Sequence, residues 1–237
     1  SGLALKGNSG TNGYFIKTKW GTSTNSLSIS SSAKTVEFRI KPIRPTTNVQ
    51  YDLIHMSSST AANDYSLILT PYQGVDLYTT NDADTYAKID LIKNGATIAS
   101  TENFPAYNTE FWNVFIGTDG TSGSAADIKF GAYQSNFLKN IFYFTGSAAL
   151  SEANRKVTFG DPYKDEVNNS GSDYVYFCGD PESSLGYEGS LQEIKIHYHQ
   201  SASYEMLNHT TLKKHALEPY MYGGYHPSSS YNDVILR

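Results

Sequence analysis

Hydrophobic and polar residues alternate along much of the chain, most clearly in the segment KTVEFRIKPI at residues 34–43. Val36, Phe38 and Ile40 share one face of this segment, and charged side chains occupy the other. A period of two residues is typical of a β-strand with one buried face. Pro42 stands where the alternation ends, as expected of a residue that lacks a backbone N–H. The pattern therefore predicts a long strand that packs on a core.

A second alternating segment, GYEGSLQEIKIHYHQ, lies late in the chain at residues 186–200. Gly186 and Gly189 flank Tyr187, and near-strict alternation follows. We expect a half-buried strand that joins an existing sheet. Residues 201–214 then have a helical pattern, which predicts one short helix directly after the strand.

The other hydrophobic runs are short, and Gly, Pro, Asn and Asp separate them. Asn94-Gly95 and Asp119-Gly120 are typical of two-residue hairpin turns, because both central positions favour positive φ. Roughly thirteen short strands leave no room for the helices that a parallel sheet would need. The sequence thus predicts an all-β fold, a two-sheet antiparallel jelly-roll sandwich with one short C-terminal helix. Further strands are predicted at residues 3–5, 13–16, 27–29, 52–56, 65–70, 75–78, 86–92, 111–117, 128–133, 141–144, 157–160 and 174–178.

Composition agrees with one large β-rich domain. The chain has 237 residues, which is enough to bury a sizeable core. Charged residues make up 17%, below the typical ~25%, and the 19 tyrosines suit half-buried strands. The sequence shows no internal repeat. We predict a domain over residues 1–217, followed over residues 218–237 by a crossing loop and the start of a further strand of a larger protein.

Charge and cysteine content limit the partners and the compartment. A net charge of −5 argues against binding nucleic acid or an anionic membrane through bulk electrostatics. No apolar run approaches ~18 residues, so no membrane insertion is predicted, and no signal-peptide pattern opens the sequence. Cys178, the single cysteine, lies in the apolar run YVYFCG and is predicted to be a buried apolar residue. A single unpaired cysteine is ordinary for a protein that folds in a cytosol.

Four of these segments form an ordered set. KTVEFRIKPI is followed by FWNVFIGTDG at residues 111–120, VTFGD at residues 157–161 and YEGSLQEIKIHYHQSASYEML at residues 187–207. Together they resemble the long strand, the Trp-containing strand with its D-G hairpin, the hydrophobic-Gly strand and the closing strand-helix element of laminin G-like domains. The resemblance covers about residues 3–212 and implies a concanavalin A-like jelly roll. It implies no single function, because this architecture carries lectins, glycosidases, adhesion modules and inert spacers.

The tail HALEPYMYGGYHPSSSYNDVILR, at residues 215–237, also resembles known sequences. It is similar to the segment that follows such domains in large structural proteins of marine tailed phages and giant viruses. This resemblance implies one piece of a virion or extracellular surface protein that folds in a cytosol.

Glycoside hydrolysis needs two carboxylates about 5–10 Å apart across a cleft. The hydrolases of the concanavalin A-like superfamily typically carry Glu-x-Asp-x-x-Glu or a close variant, and nothing in this chain matches. The nearest acidic pairs lie in loop-like sequence, so we predict no catalytic residues and no enzyme. The alternative is a diverged glycoside hydrolase or polysaccharide lyase, which would place two inward carboxylates within about 10 Å of each other on the concave sheet.

Calcium is the one cofactor that the loops suggest. Some laminin G-like domains hold Ca²⁺ at the rim of the sandwich through Asp side chains and backbone carbonyls. Asp82 with Asp84, or Asp161 with Asp165, are the candidates, since Ca²⁺ needs six to eight oxygen ligands around a bent backbone. Neither loop has an EF-hand pattern, and a plain polar loop is the alternative.

His197 and His199 share one face of the late strand, opposite Ile194. Two histidines at this spacing bind Zn²⁺ if a third ligand arrives. Nothing in the sequence shows that His209 or His215 returns to them. We therefore expect these histidines to form an exposed polar strand face.

Tyrosines supply the candidate recognition site. Tyr72, Tyr78 and Tyr86 surround the loop that holds Asn81, and Tyr163 lies in another loop. Tyrosine rings stack on the C–H faces of sugars and donate one hydroxyl hydrogen bond. The alternative is that each ring fills a half-buried strand edge. We predict a non-enzymatic recognition or structural module that binds carbohydrate or other subunits of its own assembly.

Overall fold

The computed structural model describes residues 3–6, 16–19, 33–45, 49–57, 65–72, 85–118, 126–136, 138–150, 174–178, 186–199, 209–219 and 234–236. Within these residues, strands dominate and one helix lies near the C-terminus. The strands are β1 (Leu3–Lys6), β2 (Ile16–Lys19), β3 (Ala33–Pro42), β4 (Tyr51–Ser57), β5 (Tyr65–Pro71), β6 (Ala87–Lys93), β7 (Ala96–Ser100), β8 (Trp112–Thr118), β9 (Ala126–Ser135), β10 (Ile141–Leu150), β11 (Tyr174–Phe177), β12 (Glu188–His199) and β13 (Val234–Leu236). The helix is α1 (His209–Leu217).

The strands form two antiparallel sheets, which confirms the predicted all-β sandwich. The first sheet has the order β1-β12-β3-β8-β9-β10, and β13 pairs with β12 as well. The second sheet has the order β2-β11-β4-β5-β6-β7. Because β12 follows most of the chain yet lies between β1 and β3, the first sheet is closed by a late strand, as the sequence predicted.

The core lies between the two sheets and follows from the alternation of apolar residues. Val36, Phe38 and Ile40 of β3 are buried in it, as the pattern predicted. Aromatic rings join the sheets: Phe38 meets Phe177 edge-on with centroids 5.5 Å apart. Cys178, at the end of β11, is also buried in this core, and burial raises the pKa of its thiol. Its predicted role as a buried apolar residue is confirmed.

Asn94-Gly95 makes the hairpin turn between β6 and β7, as predicted. Asn94 has φ 50° and Gly95 has φ 79°, the positive values that a two-residue turn of this kind requires. Lys93 pairs with Ala96 directly across the turn. The turn chemistry therefore sets the register of this hairpin.

A β-bulge in β12 changes which side chains face the core. The register to β3 shifts between Gln192 and Lys195, and Glu193 has φ 48°. Leu191 before the bulge and Ile194 after it both pack on the core, although strict alternation would separate them. After the bulge, Lys195 lies on the outer face of the first sheet, the face that points away from the core.

Helix α1 covers part of this outer face. Leu212 and Ala216 pack against Phe115 of β8 and Tyr133 of β9, which forms a second, smaller core. The helix was expected at residues 201–214; it is observed to end at Leu217, and residues 200–208 lie outside the described part of the chain. None of the helices in the described residues has the length and hydropathy that a membrane span requires.

Several predicted elements lie outside the described residues. The strands expected at residues 27–29, 75–78 and 157–160 and the Asp119-Gly120 turn are among them. Near the C-terminus, β13 pairs with β12 and so belongs to the first sheet. The division of the chain at residue 217 stays a prediction.

Candidate functional site

The structure brings two of the predicted glycan-binding tyrosines together. Tyr72 directly follows β5 and Tyr86 directly precedes β6, and the Tyr72 backbone N–H donates to the Tyr86 carbonyl at 3.0 Å. Both side chains are half-buried. The antiparallel pairing of β5 with β6 thus places Tyr72 and Tyr86 side by side at the rim of the second sheet.

Arg44 and Tyr107 lie beside these tyrosines. The Arg44 guanidinium stands 5.2 Å from the centroid of the Tyr107 ring, and its Nη1 donates to the Tyr86 carbonyl at 3.5 Å. The Tyr107 backbone N–H donates to the Thr85 carbonyl at 3.0 Å. We call Arg44, Tyr72, Tyr86 and Tyr107 the tyrosine rim. It combines aromatic faces with a guanidinium, the groups that contact sugars and their carboxylates.

Two buried tyrosines at the rim, Tyr51 and Tyr107, stay neutral. Burial raises the pKa of Tyr107, against the opposing influence of the Arg44 charge. Burial also raises the pKa of Tyr51 to about 12, with the Glu188 carboxylate adding to the effect. The Tyr51 hydroxyl donates to the Ile43 carbonyl at 2.8 Å. Both buried rings are therefore uncharged at physiological pH.

The other predicted site residues are not placed. Tyr78, Asn81 and Tyr163 lie outside the described residues. So do both calcium candidates, Asp82 with Asp84 and Asp161 with Asp165. Their roles stay predictions.

The outer face of the second sheet carries two buried carboxylates that sequence reasoning missed. Asp52 of β4 and Asp90 of β6 both pair with Ile68 of β5, from opposite sides. Directly paired residues share a face, and two interstrand spacings amount to about 9–10 Å between the outer Cα atoms. Glycoside hydrolases place two carboxyl groups about 5–10 Å apart across a cleft, so this pair, which only the strand register reveals, is a candidate for hydrolysis.

Two features oppose catalysis by this pair. The Ile68 side chain stands on the same face between the two carboxylates, where the reacting sugar carbon would have to lie. Asp90 is also engaged on both oxygens: Thr70 Oγ1 donates to Oδ2 at 2.6 Å, and the Lys88 ammonium stands 2.9 Å from Oδ1. Ser100 donates to Oδ1 as well. Asp90 therefore joins three neighbouring strands through a satisfied polar network.

A second cluster lies on the outer face of the first sheet, beneath α1. Glu37 of β3, His197 of β12 and His215 of α1 are each at most 1% exposed. Oε2 of Glu37 lies 3.0 Å from Nε2 of His197 and 2.7 Å from Nδ1 of His215. Asn113 Nδ2 donates to the other carboxylate oxygen, Oε1, at 3.3 Å. We call Glu37, His197 and His215 the buried trio.

The buried trio corrects the expectation for the late strand. His197 was expected on an exposed polar face, and this is wrong because α1 packs over that face. His215, which no sequence pattern connected to the strand, returns to it. The side chain of His199 lies outside the described residues. Sequence alone placed Glu37 on the polar face of β3 but offered nothing that paired it with residues far along the chain.

Electrostatics keep Glu37 ionised. Burial by itself would raise the pKa of this carboxyl, but the charge of His215 and the hydrogen bonds from both imidazoles hold the pKa well below its usual range. Because an ionised carboxylate only accepts, each ring must donate through the nitrogen that faces Oε2. The buried trio is thus a negative charge shared by two imidazole donors.

Comparison with known proteins agrees with the fold. No protein-family model and no curated protein sequence matches the chain. Tailspike protein 2 of an Escherichia coli O157:H7 bacteriophage matches in structure with TM-score 0.50 and 14% identity, over 99% of this chain and 26% of the tailspike. The chain shares its β-sandwich fold with part of this tailspike. At such low identity the likeness shows the fold alone.

Two further structures match less well. Domains LG4-5 of the mouse laminin α1 chain match with TM-score 0.38 and 12% identity, over 85% of this chain and 41% of that one. A GH43 glycoside hydrolase, engineered to show endo-xylanase and exo-arabinofuranosidase activity, matches with TM-score 0.40 and 14% identity. This match covers 77% of this chain and 33% of the hydrolase. The chain therefore spans less than half the length of each of these proteins. Membership of the laminin G-like family stays a prediction.

Proposed function

We propose that this chain is a non-enzymatic recognition module of a larger surface or virion protein and that it binds glycans at the tyrosine rim. The hydrogen bond that joins Tyr72 to Tyr86 is the observation that carries the proposal, because it gathers separate candidate residues into one surface. The tailspike likeness, which covers only 26% of that protein, fits a module within a longer chain.

The chemistry of the rim suits a sugar ligand. The half-buried rings of Tyr72 and Tyr86 present faces for stacking, and their hydroxyl groups donate and accept hydrogen bonds. Arg44 adds a planar cation that pairs with carboxylates in two-point geometry. The rim should therefore bind neutral glycans, and bind those with carboxylate groups more tightly.

The contacts around Asp52 and Asp90 favour recognition over hydrolysis. Asp52 and Asp90 are separated by the Ile68 side chain, and Asp90 is held by Thr70, Ser100 and Lys88. A general acid needs a proton and an open path to the leaving oxygen. Asp90, with three donors on its two oxygens, has no open path to a leaving oxygen.

Glycan arrays followed by isothermal titration calorimetry test the proposal. Tyr72→Ala and Tyr86→Ala should each weaken the best ligand about tenfold, which corresponds to about 1.4 kcal/mol. Tyr143→Ala is the matched control, because Tyr143 is a 48% exposed tyrosine on β10 of the other sheet. The Tyr143→Ala variant should bind the same glycan with the affinity of the wild type.

Three results would count against the proposal. An absence of binding across the array would remove the glycan ligand. A loss that appears only in Tyr143→Ala would move recognition to another surface. Release of sugars by the wild type that disappears in Asp52→Asn or Asp90→Asn would replace recognition with hydrolysis.

A further inference from the structure

We propose that the buried trio binds one divalent transition-metal ion, with Zn²⁺ the best match, between the first sheet and α1. The ligand atoms of Glu37, His197 and His215 all lie within 4.8 Å of one another. This site is independent of the tyrosine rim, whose Tyr72 and Tyr86 flank β5 and β6 of the second sheet.

The donor set matches the ion. Zn²⁺ binds imidazole nitrogen and carboxylate oxygen at about 2.0–2.2 Å, and three protein ligands leave one tetrahedral position for water. Neighbouring donors around such an ion stand about 3.3–3.5 Å apart. The observed 3.0 Å and 2.7 Å separations from Glu37 Oε2 need to open by about 0.3–0.8 Å, and the separation between the two histidine nitrogens, at most 4.8 Å, needs to match the same spacing.

Binding requires each imidazole to free the ring nitrogen that faces Glu37. A neutral ring does this by moving its hydrogen to the other ring nitrogen, with no net release, whereas a doubly protonated ring releases one proton. Nδ1 of His197 is buried and has no hydrogen-bond partner. A proton can therefore move from Nε2 of His197 to Nδ1 without breaking a hydrogen bond at Nδ1.

The surroundings fix the carboxylate and set the charge. Asn113 holds Oε1 of Glu37, which leaves Oε2 directed at the two rings. Lys195 pairs with Glu37 across the β12–β3 ladder and brings a buried positive charge to the same face. Its Nζ donates to the Pro219 carbonyl at 2.6 Å, just beyond the end of α1. The Glu37 carboxylate is therefore the charge that attracts the ion, and the two imidazoles must be neutral when it binds.

The three ligands come from three elements, and Glu37 lies 160 residues from His197 and 178 from His215, so the ion would connect β3 to β12 and α1. An ion that binds only the folded chain raises its melting temperature, by about 5–10 °C for a chain of this size at a hundred times its dissociation constant. The consequence is a helix that is fastened to the sheet by metal.

The experiment uses the tag-free chain, stripped with EDTA and dialysed. Calorimetric titration with ZnCl₂ should show one ion per chain, and the melting temperature should rise with zinc. CoCl₂ should give the intense visible absorption of a four-coordinate ion. His215→Gln and Glu37→Gln should each abolish zinc binding, the zinc-dependent rise in melting temperature and the cobalt absorption. His55→Gln is the matched control, because His55 lies on the second sheet, where its Nδ1 contacts Ser66 Oγ.

The outcomes separate a metal site from a hydrogen-bonded trio. Wild-type protein that binds no zinc at millimolar concentration refutes the proposal, and so does zinc binding that survives in His215→Gln and Glu37→Gln. If a variant fails to fold by circular dichroism, the cobalt spectrum of the wild type decides: a pale six-coordinate spectrum excludes the site. Glycan binding plays no part in these readouts.

Discussion

Glu37 shows how one buried residue depends on distant partners. Its carboxylate receives hydrogen bonds from His197, His215 and Asn113, the first two of which are 160 and 178 residues away in sequence. A buried charge without such donors would be strongly unfavourable, whereas a fully paired one is tolerated. Glu37 therefore stabilises the fold only while the strand and the helix remain in place.

This dependence predicts a pH effect on stability. The folded pKa of Glu37 is lowered from 4.5, so its contribution is complete above that pH and is lost as the pH falls below it. In EDTA, Glu37→Gln should cost about 3 kcal/mol at pH 7, and the difference from the wild type should shrink below about pH 4.5. Urea unfolding at several pH values measures this. Glu102→Gln, at an exposed position, is the control, and a difference that stays constant with pH would contradict the argument.

At the scale of residues, the sequence predicted which positions belong to the core but not how polar residues pair. Alternation places Val36 and Phe38 inward because the period of a strand is fixed. It equally places Glu37 and His197 outward, and the predicted exposure of His197 was wrong. Whether an outward face meets water depends on what packs over it, which is tertiary information.

At the scale of elements, β12 is shaped by a glycine and a bulge. Gly189 has φ 153°, and a Cβ at this position would meet the Lys41 carbonyl and the Tyr187 hydroxyl. The Tyr187 hydroxyl donates to the Ser190 carbonyl at 3.0 Å, which holds the Tyr187 side chain against Gly189. The two-residue spacing from Tyr187 to Gly189 is therefore a packing requirement.

Gly189→Ala tests this requirement. The added methyl group faces both an unfavourable backbone conformation and a clash with backbone, so we expect a loss of about 2–4 kcal/mol. Gly95→Ala is the matched control, because Gly95 also has positive φ but nothing lies within 4 Å of its would-be Cβ. It should cost only about 1 kcal/mol. Equal losses in thermal unfolding would show that packing around Tyr187 plays no part.

Elements were predicted well where local chemistry determines them. The Asn94-Gly95 turn and the ends of β3 follow from residue preferences for φ and from proline. The bulge at Glu193 could not be predicted, since the φ of 48° at this non-glycine residue arises where the ladder to β3 shifts register. The same limit applies to α1, whose amphipathic face has meaning only against Phe115 and Tyr133.

At the scale of the whole molecule, the architecture was predictable and the strand order was not. Short alternating segments without intervening helices permit little besides an antiparallel sandwich. The order within each sheet depends on contacts between strands more than a hundred residues apart, such as β3 with β12. The same long-range register places Asp52 and Asp90 on one face and gathers the buried trio.

The position of β12 between β1 and β3 has a consequence for synthesis of the chain. The ribosome makes β1 and β3 early, but their shared neighbour follows β3 by roughly 150 residues, or about 8–30 s at usual translation rates. During that interval, the edges of β1 and β3 that later pair with β12 have no β12 to bond to. We expect ribosome-arrested chains that end before residue 186 to be cleaved rapidly by protease, and chains with β12 and α1 outside the exit tunnel to resist it. Resistance in the shorter chains would show that the early strands fold without their late neighbour.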